Sequence, residues 1–175
     1  MEQALPFYKI SCSLKQEQIQ LYYTVLDNVQ ELAEEDQALL KKAQQATANA
    51  YAPYSQFQVG AAALLQNGEI ITGSNQENAS SPAGLCAERV LLAAASSLYK
   101  QVLIDTIAVS YHNQKSSGNN KPVSPCGICR QSLLEYQLKQ QKPIRLILAG
   151  MTGKVFIIKD VSHLLPLSFS GADME

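Results

Sequence analysis

The chain has 175 residues, 46% hydrophobic and 17% charged, which suits one domain whose core needs no disulfide staple. Fourteen basic against fifteen acidic side chains give a net charge of -1, and no Lys or Arg block forms the electrostatic footprint of a nucleic-acid binder. No apolar run approaches the roughly 18 residues of a membrane span. The opening MEQALPFYKISC lacks the basic and apolar regions of a secretory leader, so the expected compartment is the cytoplasm, with reduced cysteines.

Residues 1–30 have weak periodicity and read as an accessory arm ahead of a domain over residues 31–175. Within the arm, residues 8–13 and 18–25 partly alternate apolar and polar side chains and are predicted as short strands. From residue 35, EDQALLKKAQQATANAY places Leu39, Leu40, Ala43, Ala46 and Ala50 at helical spacing, and Pro53 is the expected stop. Phe57–Leu65 and residues 69–73 are apolar runs flanking Gln66-Asn67-Gly68, a hairpin signal.

Pro82 after Ser80 and Ser81 marks the start of a helix predicted to run over residues 85–99. Residues 104–111 read as a buried strand and residues 113–124, rich in Ser, Asn, Gly and Lys, as an exposed loop. Pro125 opens a further helix over Gly127–Gln140. Strands over residues 144–149 and 155–159 flank a turn at Gly153. Helices that separate strands imply crossovers, so the expected architecture is a three-layer α/β/α fold with a parallel or mixed sheet.

Cys86-Ala87-Glu88 and Pro125-Cys126-Gly127-Ile128-Cys129 each sit at a predicted helix start. Helix N-termini favour thiolates, the form that binds zinc. Cys12 lies in the arm, and His112 and His163 have no ligand-like spacing, so three sulfurs without a fourth protein ligand point to a catalytic site with one position for water. Zinc would acidify that water and Glu88 would accept its proton. An isolated Glu in a first helical turn is ordinarily a solvated residue favoured by the dipole. A lone CxxC is shared by redox and structural zinc sites. Together, a Glu just after the first ligand and a later PCxxC reproduce the zinc-deaminase signature.

The segments FQVGAAALL, GSNQENASSPAGLCAERV and SPCGICRQSLLEY resemble, in order, the motifs of the small homotetrameric cytidine deaminases, over residues 34–169. The resemblance implies an open mixed five-stranded sheet, one Zn2+ per subunit, and hydrolysis of cytidine or deoxycytidine to uridine or deoxyuridine plus ammonia in pyrimidine salvage. It implies that Phe57 packs on the pyrimidine, that Asn75 and Glu77 hold the ribose, that the Ala87 N–H binds O2, and that the Ser124 carbonyl receives the departing amine. Phe169 would close a neighbouring subunit's site. Arg89, a cation beside three thiolates, is expected to hydrogen-bond the sulfurs.

Two departures stand out. Ser81 occupies the position where the family usually presents a tyrosine, and the 113–124 loop is several residues longer than usual. The competing readings are a related deaminase acting on another aminopyrimidine, such as a nucleoside antibiotic, and a non-catalytic zinc-stapled binding module.

Overall fold

The computed structural model describes residues 15–174. Its regular elements are β1 (Thr24–Leu26), α1 (Glu34–Ala46), β2 (Phe57–Leu65), β3 (Ile70–Ser74), α2 (Ala87–Leu98), β4 (Ile104–Asn113), α3 (Gly127–Gln140), β5 (Arg145–Ala149) and β6 (Val155–Ile158). They build one mixed sheet in the order β1-β6-β5-β4-β2-β3, in which only β4 and β5 pair parallel. None of the described helices is long and apolar enough to cross a membrane.

Strand alternation distributes the core to two faces. Ala61, Ala63 and Leu65 of β2, Ile107 and Val109 of β4, and Leu146 and Leu148 of β5 pack with Leu91, Ala95 and Leu133 of α2 and α3. The intervening Ala62, Ala108 and Ile147 pack with Leu39, Leu40 and Ala43 of α1. This is the period-two rule of a sheet covered on both faces, and it gives the expected three layers. Each fully buried Leu or Ile contributes about 1.5–3 kcal/mol relative to exposure.

The sheet has six strands rather than five. The additional strand is β1, whose Val25 pairs with Phe156 of β6 and whose Tyr23 neighbour meets the Phe156 ring edge-on at 5.0 Å. It lies in the segment expected to form the arm, and it is shorter than the strand predicted over residues 18–25. The strand predicted over residues 8–13 lies outside the described residues.

Two helix boundaries also differ from expectation. The helical run does not continue to Pro53: α1 ends at Ala46 and tightens into a 3-10 turn over Thr47–Asn49, because the Thr47 hydroxyl donates back to the Gln44 carbonyl at 2.7 Å. The next helix begins at Ala87, not Leu85. The Leu85 amide donates to the Gln76 carbonyl at 2.9 Å and its carbonyl accepts from the Gln76 amide at 2.8 Å, which holds Leu85 extended and moves the helix start past Cys86.

Gly73 fixes how low α2 sits on the sheet. A Cβ there would stand 2.6 Å from the Ala87 carbonyl oxygen and 2.6 Å from the Leu91 nitrogen. Only glycine allows β3 and α2 this close, and the first turn of α2 carries the chemistry.

Candidate active site

Cys86 is the N-cap of α2, Cys126 the N-cap of α3, and Cys129 lies in the first turn of α3. The Sγ atoms of Cys86 and Cys126 are 3.7 Å apart and those of Cys126 and Cys129 are 3.5 Å apart; all three lie within 4.8 Å of one another. Three thiolates about 2.3 Å from one tetrahedral zinc stand about 3.8 Å apart, so the donor set fits that ion. Among the described residues no fourth His, Cys, Asp or Glu joins the cluster. Cys12 lies outside the described residues.

Hydrogen bonds from the Cys129 and Cys126 thiols, with help from the charge of Arg89, lower the pKa of Cys86 to about 6. Cys129, which donates to that sulfur and is buried, is raised well above the usual thiol range. Glu88 is 5% exposed, and burial pushes its carboxyl up from the ordinary value. A carboxyl held back from ionising by burial, beside the thiols and facing the cavity, is suited to carrying protons.

A cavity of about 810 Å³ is lined by Cys86, Cys126 and Glu88 together with the polar Asn75, Glu77, Asn78 and Ser81. Its volume is in the range of small-molecule sites. The Asn75 side chain accepts from the Val59 amide at 2.7 Å and donates to the Phe57 carbonyl at 3.0 Å, which locks its orientation and leaves one N–H and one lone pair for a ligand. The Glu77 carboxylate accepts from the Tyr54 amide at 2.8 Å and from the Ser55 amide at 3.3 Å. Bonding to Ser55 holds its pKa below the ordinary value.

The other expected site residues are distributed as follows. Ser124 lines the cavity. Ala87 is fully buried in the first turn of α2 beside the sulfurs. The Phe57 ring stacks on Tyr111, with centroids 4.9 Å apart and planes at 9°; it is Tyr111 that lines the cavity. Phe169 lies away from the cavity wall, 60% exposed, its carbonyl accepting from the Gln131 side chain. Arg89 lines the cavity, but its guanidinium donates to the Gly84 carbonyl at 3.4 Å. The hydrogen bond to sulfur expected from the sequence is absent among the described residues.

Tyr54, Val59, Tyr111, Val123 and Ile128 also line the cavity and were not anticipated. Val59 and Tyr111 could have been found from strand alternation, since they share a sheet face with Ala61 and Val109. The long 113–124 loop is not free in solvent along its length: the Asn119 carbonyl accepts from the amides of Met151 at 2.7 Å and Thr152 at 3.3 Å.

The family described as the cytidine and deoxycytidylate deaminase zinc-binding region matches residues 33–142. A cytidine deaminase of Halalkalibacterium halodurans is 41% identical over 138 residues, spanning 79% of this chain and 96% of that relative. The chain belongs to the cytidine and deoxycytidylate deaminase family. A crystal structure of the cytidine deaminase from Burkholderia pseudomallei superposes with a TM-score of 0.65 at 35% identity, covering 79% of this chain and all of that one. A blasticidin-S deaminase of Bacillus cereus is more distant, 28% identical over 113 residues, 64% of this chain and 76% of that relative. The zinc-binding region of the deaminase family includes Cys86, Cys126 and Cys129.

Proposed function

We propose that this protein catalyses the hydrolytic deamination of cytidine and deoxycytidine, giving uridine or deoxyuridine and ammonia, and so returns pyrimidine nucleosides to use. The observation that carries the reading is a cluster of three thiols, two of which line a nucleoside-sized cavity together with the buried Glu88. Cys86, Cys126 and Cys129 hold the zinc; when bound, the ion supplies Lewis acidity that makes a water nucleophilic near neutral pH.

Glu88 moves the protons. It takes a proton from the attacking water and delivers it to N3, so that the water oxygen bonds to C4; it then carries the proton of the resulting C4 hydroxyl to the exocyclic nitrogen, the C–N bond breaks, and ammonia leaves a C4 carbonyl. The Ala87 N–H, at the positive end of α2, binds the pyrimidine O2. The Ser124 carbonyl accepts from the departing amine, and Phe57 backs the pyrimidine through the aromatic pair it forms with Tyr111. Asn75 and Glu77 bind the ribose hydroxyls. Arg89 offsets the net negative charge of three thiolates around a dication.

The catalytic domain in this reading is residues 31–175, preceded by the accessory arm of residues 1–30. A homotetramer in which Phe169 reaches a neighbouring subunit is supported by the exposed Leu167 and Phe169 near the chain end. A reducing cytoplasm is the compartment in which thiolate ligands stay competent. Action on a nucleoside antibiotic is less favoured, because the antibiotic-directed relative is the more distant one.

The reading is tested by following the ultraviolet absorbance of cytidine on adding purified, zinc-loaded protein. Cytidine and deoxycytidine lose absorbance, cytosine and an oligonucleotide do not, and a strong chelator stops the reaction. Bound zinc without turnover of any of the four would identify a zinc-stapled module instead.

A further inference from the structure

Tyr111 is 7% exposed, yet its hydroxyl makes no hydrogen bond among the described residues and is not enclosed. Tyr111 lines the cavity, so a ligand held there lies within reach of its side chain. A hydroxyl with no protein partner is solvated in the free protein, and a substrate that displaces its water has to supply a replacement hydrogen bond or leave it unpaired at a cost. The parallel stack on Phe57 holds the ring still, so little entropy is lost when the bond forms.

The register shows which end of the cavity the hydroxyl serves. In one row across the sheet, Val109 faces Ala61 and Ala61 faces Gly73, and Gly73 lies beneath Ala87. Tyr111 and its partner Val59 are two residues further along the strands on the same face, about 7 Å from that row. Val59 exchanges hydrogen bonds with Asn75, its amide donating to the side chain at 2.7 Å and its carbonyl accepting from the Asn75 amide at 3.2 Å. Tyr111 therefore springs from the row that Val59 and Asn75 share, one step along the strands from the row beneath Ala87. A nucleoside whose amine is directed at the sulfurs and Glu88 presents its sugar to that row.

We infer that Tyr111 is a specificity-determining residue that hydrogen-bonds a sugar hydroxyl of the pyrimidine nucleoside. This rests on the deaminase reading above. A phenol can donate or accept and so matches a hydroxyl in either sense. It takes no part in moving protons to the base.

The test is steady-state kinetics of the wild type and Tyr111→Phe, which keeps the ring and the stack, on cytidine and its 2′-, 3′- and 5′-deoxy analogues. Zinc content and melting temperature are compared first. The expected result is a rise of about tenfold in KM for cytidine, kcat within twofold, and no difference between the two proteins on one deoxy analogue, which names the hydroxyl read. Independently of the variant, the wild type alone shows about the same tenfold loss on that analogue. Equal KM values for both proteins on cytidine, or an equal loss on every deoxy analogue, overturn the inference while leaving the deaminase reading standing. No turnover of cytidine by the wild type overturns both.

Discussion

The carbonyl oxygen of Asn119 and the amide of Met151 form a 2.7 Å hydrogen bond, joining the long loop before α3 to the turn between β5 and β6. The Asn119 side chain adds to it, accepting from the Asn113 amide at 2.8 Å and donating to the Ser116 carbonyl at 3.3 Å. A Cβ at Gly150 would lie 2.2 Å from the Asn119 carbonyl oxygen and 2.7 Å from its carbon. Backbone cannot yield as a flexible side chain does. Gly150→Ala is therefore expected to displace the loop, costing about 1–3 kcal/mol, and to raise KM because Val123 and Ser124 shift with it. Urea denaturation and substrate titration check this; unchanged values for both would mean the turn absorbs the methyl group.

Glu88→Gln keeps the size of the side chain and removes its proton-carrying capacity. The expected variant holds zinc as well as the wild type and turns over cytidine at least about 10²-fold more slowly. Metal analysis beside the absorbance assay separates the two effects. Full activity would remove Glu88 from the chemistry.

Zinc affinity is expected to rise with pH. Cys86 is a thiolate above about pH 6, accepting hydrogen bonds from the Cys129 and Cys126 thiols, so loading the metal on three thiolates at pH 7 expels the protons of both donors. Below about pH 6 the proton of Cys86 must leave as well, and affinity falls more steeply. Competition with an indicator chelator on both sides of pH 6 measures the slope. A flat profile would contradict this assignment of the protons.

Asp36, in the first turn of α1, receives two hydrogen bonds of 2.6 Å from the Arg145 guanidinium at the start of β5. Pairing with Asp36 raises the Arg145 pKa. The pair is only partly exposed, with Asp36 at 16%, so it exceeds an open surface ion pair but falls short of a fully buried one. Asp36→Asn is expected to lower stability by about 1–2 kcal/mol without changing kcat. A shift in the urea midpoint at constant slope reports it.

Much of this molecule was legible locally. Phe57–Leu65 and the Asn67-Gly68 turn were readable because alternation and turn chemistry are properties of adjacent residues, and α3 matched its expected span for the same reason. The thiol cluster was legible because Cys86, Cys126 and Cys129 sit at helix starts marked by nearby prolines. What escaped depends on distant partners: Leu85 is held extended by Gln76, β1 exists through pairing with β6, and Asn119 is anchored by Met151. Arg89 shows the same limit, since its Gly84 acceptor belongs to a turn whose shape the residue types alone do not specify.

The pairing of β1 with β6 has a bearing on how copies of the chain can meet. A five-stranded sheet would leave the backbone of β6 free to accept a strand from another molecule. Here that row of donors and acceptors is taken, and the new border is three residues long, too short to template continuous growth. Self-association through an extended sheet is closed at this side, which leaves the β3 border and the side-chain surfaces of helices and loops as the places where copies can meet.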